Sequence, residues 1–290
     1  MIKRSLGTHD GSFHADEVSA CALMVVFDQI DLDKIVRTRD PDVLDTCEYV
    51  CDVGGVYDPD KKRFDHHQNE YTGPLSSAGM IWLYLRDQKI VDSALYEYMN
   101  KRVIIGVDAH DNGRELQEEG VCTFSHIIAN HVPPQQSAPA EEVEKAFFTA
   151  LGFAIDYFSR LIERYKYIQS CKGVVKEAMS KEKKLLIFDE PMPWQDNFFD
   201  LGGESHPALF LIMPSASHWK LRGVPPNRHK MMEVRQPLPE EWAGLRVEEL
   251  KQVSGIPGAI FCHKGRFISI WETKEDALKA ADLVLGKEGS

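Results

Sequence analysis

The sequence predicts an α/β protein of two domains: a first domain with a mainly parallel sheet, a helical connector, and a second α+β domain forming a cleft with the first. Three observations point there. The first half reads strand, helix, strand, strand, an order that favours parallel pairing. The middle carries a long apolar repeat at three- and four-residue spacing. The last third has short apolar runs separated by turn signals and ends in a capped helix. A length of 290 residues suits about two domains of roughly 100–200 residues each. They are placed at 1–135 and 184–290, with the connector at 136–183.

Residues 3–8 form a short strand that delivers His9. Val18, Cys21, Ala22, Val25 and Val26 have helical spacing within 16–27. Residues 35–38 read as a strand, 41–44 as a turn or short helix, and 49–53 as an apolar strand closed by Gly54-Gly55. Residues 76–85 and 93–107 look helical, the second ending near Asp108. Residues 133–139, with three prolines, are a loop. Phe147, Phe148, Leu151, Ile155, Phe158, Leu161, Ile162 and Tyr165 then line an amphipathic helix that continues toward Ser180. The second domain opens with a strand at 184–189 and continues with strands at 208–213 and 218–224. Residues 259–262 and 267–271 flank a hairpin turn at His263-Lys264-Gly265-Arg266. Thr273 caps a last helix at 274–285, with Asp276 near its third position.

Composition narrows the class. With 43% hydrophobic and 27% charged residues, the chain is that of an ordinary globular protein. No run of about 18 uncharged apolar residues is present, so no membrane span is expected. A candidate site beginning at His9 leaves no room for a leader, and the expectation is a cytoplasmic protein. Six cysteines without a C-x-x-C read as free thiols of a reducing compartment. A net charge of −11 argues against an extended basic surface but not against a local basic groove.

The chemistry concentrates in three stretches. His9, His14 and Asp16 fall in one loop, Asp52 ends an apolar strand, and Asp65-His66-His67 follows shortly after. Asp108 adds a further carboxylate, with His110, Asp111 and Asn112 as supporting or turn residues. Mixed imidazoles and carboxylates at strand ends suit two divalent ions, with Mn²⁺ favoured over Mg²⁺, Co²⁺ and Zn²⁺. Asp10 and Glu17 have a plain reading as turn and helix first-turn residues. Asp16, Asp52 and Asp108 bring about three negative charges against four from two such ions, which leaves the site receptive to phosphate. Paired ions that activate water suit phosphoester hydrolysis.

Taken together these strings resemble the DHH phosphoesterase superfamily. Within it the chain resembles the melanocyte-proliferating-gene exonuclease family, also described as metal-dependent protein hydrolase-like. The resemblance covers nearly the whole chain. It runs through Thr8-His9 with Phe13-His14-Ala15-Asp16-Glu17, Asp52-Val53-Gly54-Gly55-Val56-Tyr57-Asp58-Pro59, and Arg63-Phe64-Asp65-His66-His67-Gln68 with Leu75-Ser76-Ser77-Ala78-Gly79. It continues in Asp108-Ala109-His110-Asp111-Asn112-Gly113 and in the second-half strings beginning at Pro237 and Ser254. It implies a DHH-type first domain and metal-dependent 3′→5′ exonuclease activity on RNA, releasing nucleoside monophosphates. It also implies one metal on His9, His14 and Asp52, and the other on Asp16, Asp52, His66 and Asp108. Asp65 and His67 are the implied catalytic pair, Asp65 orienting an imidazole and His67 meeting substrate phosphate. The chain departs from many members in carrying His14 for an Asp one residue nearer the first His, and Asp10 for Asn. It lacks the GGGH signature of the C-terminal domain.

The second domain carries a local reversal of charge. His218, Lys220, Arg222 and Arg228, with Lys264 and Arg266 at the hairpin, are candidate contacts to an RNA or short oligonucleotide, and Trp219 offers a stacking face. The plain alternative is a solvated strand face. Two rival functions remain open: a phosphohydrolase of small substrates such as an oligoribonucleotide, nucleotide or pyrophosphate, and a non-catalytic metal-binding regulatory protein. A homodimer is compatible with the sequence.

Overall fold

Residues Ser5 to Thr8 are buried in succession, the signature of a central strand covered on both faces. In a computed structural model, which describes residues 1–181 and 184–286, this strand is an interior strand of a five-stranded sheet. Its strands are β1 (Ile2–Thr8), β2 (Ile35–Arg37), β3 (Cys47–Cys51), β4 (Tyr57–Asp58) and β5 (Arg63–Phe64). The order is β2-β1-β3-β5-β4, parallel except for the β4–β5 pair. The helices are α1 (Ala15–Val26), α2 (Pro41–Leu44), α3 (Ser77–Asp87), α4 (Ser93–Met99), α5 (Ile105–Asp111), α6 (Phe124–Ala129) and α7 (Ala140–Ser170).

Register places the chemistry. Gly7 pairs with Val50, and Cys51 with Phe64, so β1, β3 and β5 lie side by side and end together. His9, Asp52 and Asp65-His66-His67 leave them at one carboxyl edge, where ligand groups collect in parallel sheets. The strand expected at 49–53 stops at Cys51 because Asp52 turns left-handed, at φ 57°. The bare backbones of Gly54 and Gly55, at φ 97° and 68°, carry the turn onward.

The chain divides into two compact units, Met1–Tyr165 and Lys166–Ser290. The stripe expected in a connector is core of the first unit: Phe147, Leu151, Phe158, Ile162 and Tyr165 join one cluster with α1, α3 and α5. Residues 182–183, at the expected 183/184 boundary, lie outside the described residues. The helix expected at 93–107 is interrupted by a π-helical segment, Asn100–Ile104, and continues as α5 to Asp111. Asp108 is therefore inside a helix rather than at its end. The π turn inserts a residue into the helical ladder and re-aims the face that follows.

The second unit contains α8 (Lys172–Lys181), β6 (Leu185–Ile187), α9 (Gln195–Asp200), β7 (Phe210–Ser215), β8 (His218–Gly223), α10 (Val247–Ser254), β9 (Ala259–Cys262), β10 (Ile268–Trp271) and α11 (Lys274–Gly286). Its sheet order is β6-β7-β8-β10-β9, with only β6–β7 parallel. One core cluster joins Leu221 and Trp271 to α10 and α11, and another joins Leu211 and Met213 to α8 and α9. Thr273 caps α11 as expected, its Oγ1 accepting from Asp276 N–H at 3.1 Å. Among the described residues no helix is long and apolar enough to cross a membrane.

Candidate metal centre

Asp52 sits at the middle of the carboxyl edge with its two oxygens facing different imidazoles. Oδ2 lies 3.4 Å from His9 Nε2, and Oδ1 lies 3.5 Å from both His66 Nε2 and His67 Nδ1. His9 Nε2 is also 3.0 Å from Glu17 Oε1, and His9, His14 and Glu17 bring three ligand atoms together. On the other side His66 Nε2 lies 3.0 Å from Asp111 Oδ2 and 3.8 Å from Asp16 Oδ2. His66 Nε2 and Asp52 Oδ1 are buried yet make no hydrogen bond. Buried polar atoms in that state are costly, and here they converge on common points a cation would fill. The set of His9, His66, Asp16, Glu17, Asp52 and Asp111 fits divalent ions by position and by donor chemistry.

Glu17 was the residue whose plain reading concealed a site role. It is fully buried, accepts from His14 N–H at 3.0 Å as a helix first-turn residue should, and also faces His9. Its sequence signal was the carboxylate beside Asp16 at the start of an apolar helix. His14 is exposed, at the edge of the cluster.

Asp108, expected as a metal ligand, does not join this group here; its carboxylate faces the start of α3. Its Oδ1 accepts from Ser76 N–H (2.9 Å) and Gly79 N–H (3.1 Å) and lies 2.8 Å from Ser76 Oγ. Asp16 accepts from the neighbouring N–H groups, Ser77 at 2.9 Å and Ala78 at 2.6 Å. The two carboxyls thus satisfy the otherwise unpaired donors that open α3. Ser76 Oγ is 2.6 Å from Asp16 and has a single hydrogen for two carboxyls, so the two acids share one hydroxyl donor. Burial raises both acids, Asp16 well above the usual range with added repulsion from Asp52 and Asp111. Gly79 is required by this contact, since a Cβ there would stand 2.3 Å from Asp108 Oδ2. One turn on, at the i+3 position, Asp111 is the acid that faces His66.

Charge coupling sets how the metal-free site holds protons. Burial opposes ionisation of His9, but Asp52 and Glu17 outweigh it and hold the ring up to about 10; Asp111 and Asp52 do the same for His66. Burial likewise opposes ionised Asp52, yet His66 and His9 bring it down to about 2. Both imidazoles have raised folded-state values, so their contribution to stability is complete below 6.5 and is lost as pH rises through about 10. Metal-free protein is expected to melt at progressively lower temperature across that window. Divalent ions displace the ring protons, so their stabilisation grows with pH near neutrality and the slope reverses. Thermal melts at several pH values, with and without Mn²⁺, check this; parallel curves would refute it.

Asp65 acts as a brace. It accepts from Gly55 N–H at 2.6 Å, from His67 N–H at 3.1 Å and from His67 Nδ1–H at 2.7 Å. This leaves exposed His67 with Nε2 for other partners. His9, His14, Asp52, Asp65, His66, His67 and Asp111 line a cavity of about 1480 Å³ together with Arg37 and Arg39, two residues absent from the expected site. Their signal was two arginines at the end of β2, next to the end of β1. Arg37 is committed to Glu144 (3.0 Å), Gly11 O (2.6 Å) and the face of Phe147 (4.3 Å). Arg39 is largely exposed and faces Asp10 at 3.3 Å.

In the second unit, Lys220 and Arg222 alternate with Leu221 and share one face of β8 with His218. Both are half-buried, and burial lowers both, with Arg222 adding to the effect on Lys220. No acidic partner approaches either among the described residues. Trp219 points to the opposite face and packs against the core there, so it is not a stacking platform beside them. Arg228, expected as a substrate contact, is paired with Asp200 at 2.5 Å. Lys264 and Arg266 occupy the β9–β10 turn, where Arg266 N–H donates to His263 O at 2.8 Å. His218 Nδ1 lies 3.2 Å from Ser217 Oγ at the far end of β8.

Comparison with known proteins gives a consistent picture. The model of MYG1_exonuc, described as an uncharacterised protein family (UPF0160), matches residues 5–285. A protein of Chlamydia trachomatis serovar D called MYG1 protein is 54% identical over 288 residues, covering 99% of each chain. The MYG1 exonuclease of Homo sapiens is 34% identical over 329 residues, covering 99% of this chain and 87% of its own. Among solved structures, the exonuclease RecJ bound to manganese aligns over 99% of this chain and 91% of its own, with 11% identity and a TM-score of 0.31. At that score the likeness carries no argument.

Proposed function

The chain belongs to the MYG1 exonuclease family, and from that premise we propose that it is a metal-dependent 3′→5′ exoribonuclease releasing nucleoside monophosphates. The observation that carries the reading is Asp52, with one oxygen toward His9 and the other toward His66 and His67. His9, Glu17 and Asp52, with His14 at the rim, would hold one ion. Asp52, His66, Asp16 and Asp111 would hold a second, with Mn²⁺ best suited to this carboxylate-rich set. When bound, such ions supply Lewis acidity at the phosphoryl group and acidify the attacking water.

The chain's own residues do the rest. Asp65 fixes the His67 ring through Nδ1 and leaves Nε2 to meet a phosphate oxygen or pass a proton to the leaving oxygen. Arg39 stands at the cavity wall with an exposed guanidinium suited to a phosphate. The cavity, at about 1480 Å³, exceeds the roughly 300–1,000 Å³ of small-ligand sites and favours the end of an oligonucleotide. Lys220, Arg222, His218, Lys264 and Arg266 are offered as contacts to the RNA backbone. Free thiols throughout suit a cytoplasmic setting.

The test is Mn²⁺-dependent turnover of 5′-labelled single-stranded RNA, its DNA counterpart, a dinucleotide and pyrophosphate. A ladder shortening from the 3′ end with monophosphate release, abolished by chelator, is expected. Lys220→Ala with Arg222→Ala is expected to raise KM for RNA several-fold, on the order of the loss for one or two phosphate contacts, with the dinucleotide unaffected. Turnover of pyrophosphate or the dinucleotide alone would remove the exonuclease reading, and a regulatory protein would turn over none of the four.

A further inference from the structure

The helix that delivers Asp111 also carries a second imidazole–carboxylate cluster that the metal centre does not use. His110 is on α5, Glu115 in the loop that follows, and His126 on α6. His110 Nδ1 lies 2.5 Å and His126 Nε2 3.7 Å from the same oxygen, Glu115 Oε2, and one ligand atom from each residue falls within 4.8 Å of the others. The two rings stand edge to face, 5.5 Å apart at 89°. Glu115 is 13% exposed, and its second oxygen, Oε1, is out of solvent without a hydrogen-bond partner.

We propose that His110, Glu115 and His126 form a separate divalent-cation site of zinc type. Two imidazoles and one carboxylate suit Zn²⁺ better than Mn²⁺ or Mg²⁺, with water completing a tetrahedron. Bonds of about 2.0–2.1 Å require ligand atoms roughly 3.3–3.5 Å apart. His110 and Glu115 therefore open by roughly 1 Å, and His126 closes slightly. The ion takes the place of the proton now between His110 Nδ1 and Glu115, and that proton goes to solvent. His126 presents Nε2 to the ion and carries its ring proton on Nδ1, giving up the weak 3.4 Å acceptance from Thr123 N–H. A plain ion pair would leave Oε1 unsatisfied, whereas an ion beside the carboxylate can draw on both oxygens. Occupancy staples the end of α5 to α6 and restrains the exposed loop that contains Glu118 and Glu119. None of the three residues touches the Asp52 centre, so the site stands whether or not the exonuclease reading does.

The test begins with metal-stripped full-length protein, titrated with Zn²⁺ against a chromophoric chelator for wild type, His126→Ala and Glu115→Gln. Each variant is expected to bind one zinc fewer than wild type, with Mn²⁺-dependent hydrolysis unchanged. Zinc is also expected to slow cleavage after Glu118 and Glu119 by a glutamate-specific protease, a readout on wild type that needs no variant to fold. Equal zinc stoichiometry in all three proteins overturns the site. So does a wild-type loop cut equally fast with and without zinc.

Discussion

Asp52→Asn is expected to lower Mn²⁺-dependent hydrolysis by at least roughly 10³-fold, about 4 kcal/mol of barrier, with little change in fold. Asn is the informative replacement because the position is left-handed, at φ 57°, a conformation Asn adopts readily. The backbone turn out of β3 is kept, and what is lost is the charge shared by two groups of ligands. His9 and His66 then face a neutral amide where each had a carboxylate oxygen at 3.4 Å or 3.5 Å. Metal stoichiometry should fall with activity, while the far-ultraviolet spectrum stays that of wild type. Hydrolysis within tenfold of wild type would show that Asp52 does not join two ion sites.

Asp111 and Asp108 should separate binding from folding. Asp111→Asn is expected to weaken Mn²⁺ binding and slow hydrolysis by roughly 10–100-fold, the scale reported for residues supporting metal ligands, and by more if it ligates directly. Its melting temperature without metal should barely move. Asp108→Ala should do the opposite, because it removes the acceptor for Ser76 and Gly79 at the start of α3. Leaving those buried donors unpaired costs about 1–3 kcal/mol, seen as a lower melting temperature before any metal is added. Asp108→Asn keeps an acceptor oxygen and should rescue much of that loss. The assignment fails if Asp108→Asn strips the metal while Asp111→Asn leaves it in place.

The elements most legible in the sequence are those with one strong local signal. Strand β1 closes in the small and apolar run Ser5-Leu6-Gly7-Thr8, α7 has an unbroken three-and-four repeat, and Thr273 with Asp276 announces α11. The two-residue strands β4 and β5 were not legible, because two residues are too few to show a period of two. β5 exists through pairing with β3 and β4 through pairing with β5, and β5 carries Asp65-His66-His67 to the edge beside Asp52. The interruption at Asn100–Ile104 was also invisible, since a π turn changes which face a residue joins without changing composition.

The residues of the centre divide along the same line. His9 and Asp52 follow directly from strand ends legible in the sequence, so their order along the chain already implies that they meet, whereas Asp65, His66 and His67 reach them through β5. Asp108 and Asp111 are one helical turn apart with the same side chain, and local sequence cannot rank them. Packing ranks them: α3 presents its unpaired N–H groups to Asp108, and Gly79 admits the approach. Lys220, Arg222, Trp219 and Arg228 show the same limit, for a basic composition does not say which side of a strand a residue faces or which cation already has an acid. The amino-acid sequence by itself determined the kinds of chemistry this protein carries and the strands that deliver them, because donor type and strand period are local properties. Which carboxylate meets an imidazole and which closes a helix was decided only in the tertiary structure, because buried charge and unpaired N–H groups find their partners across the chain.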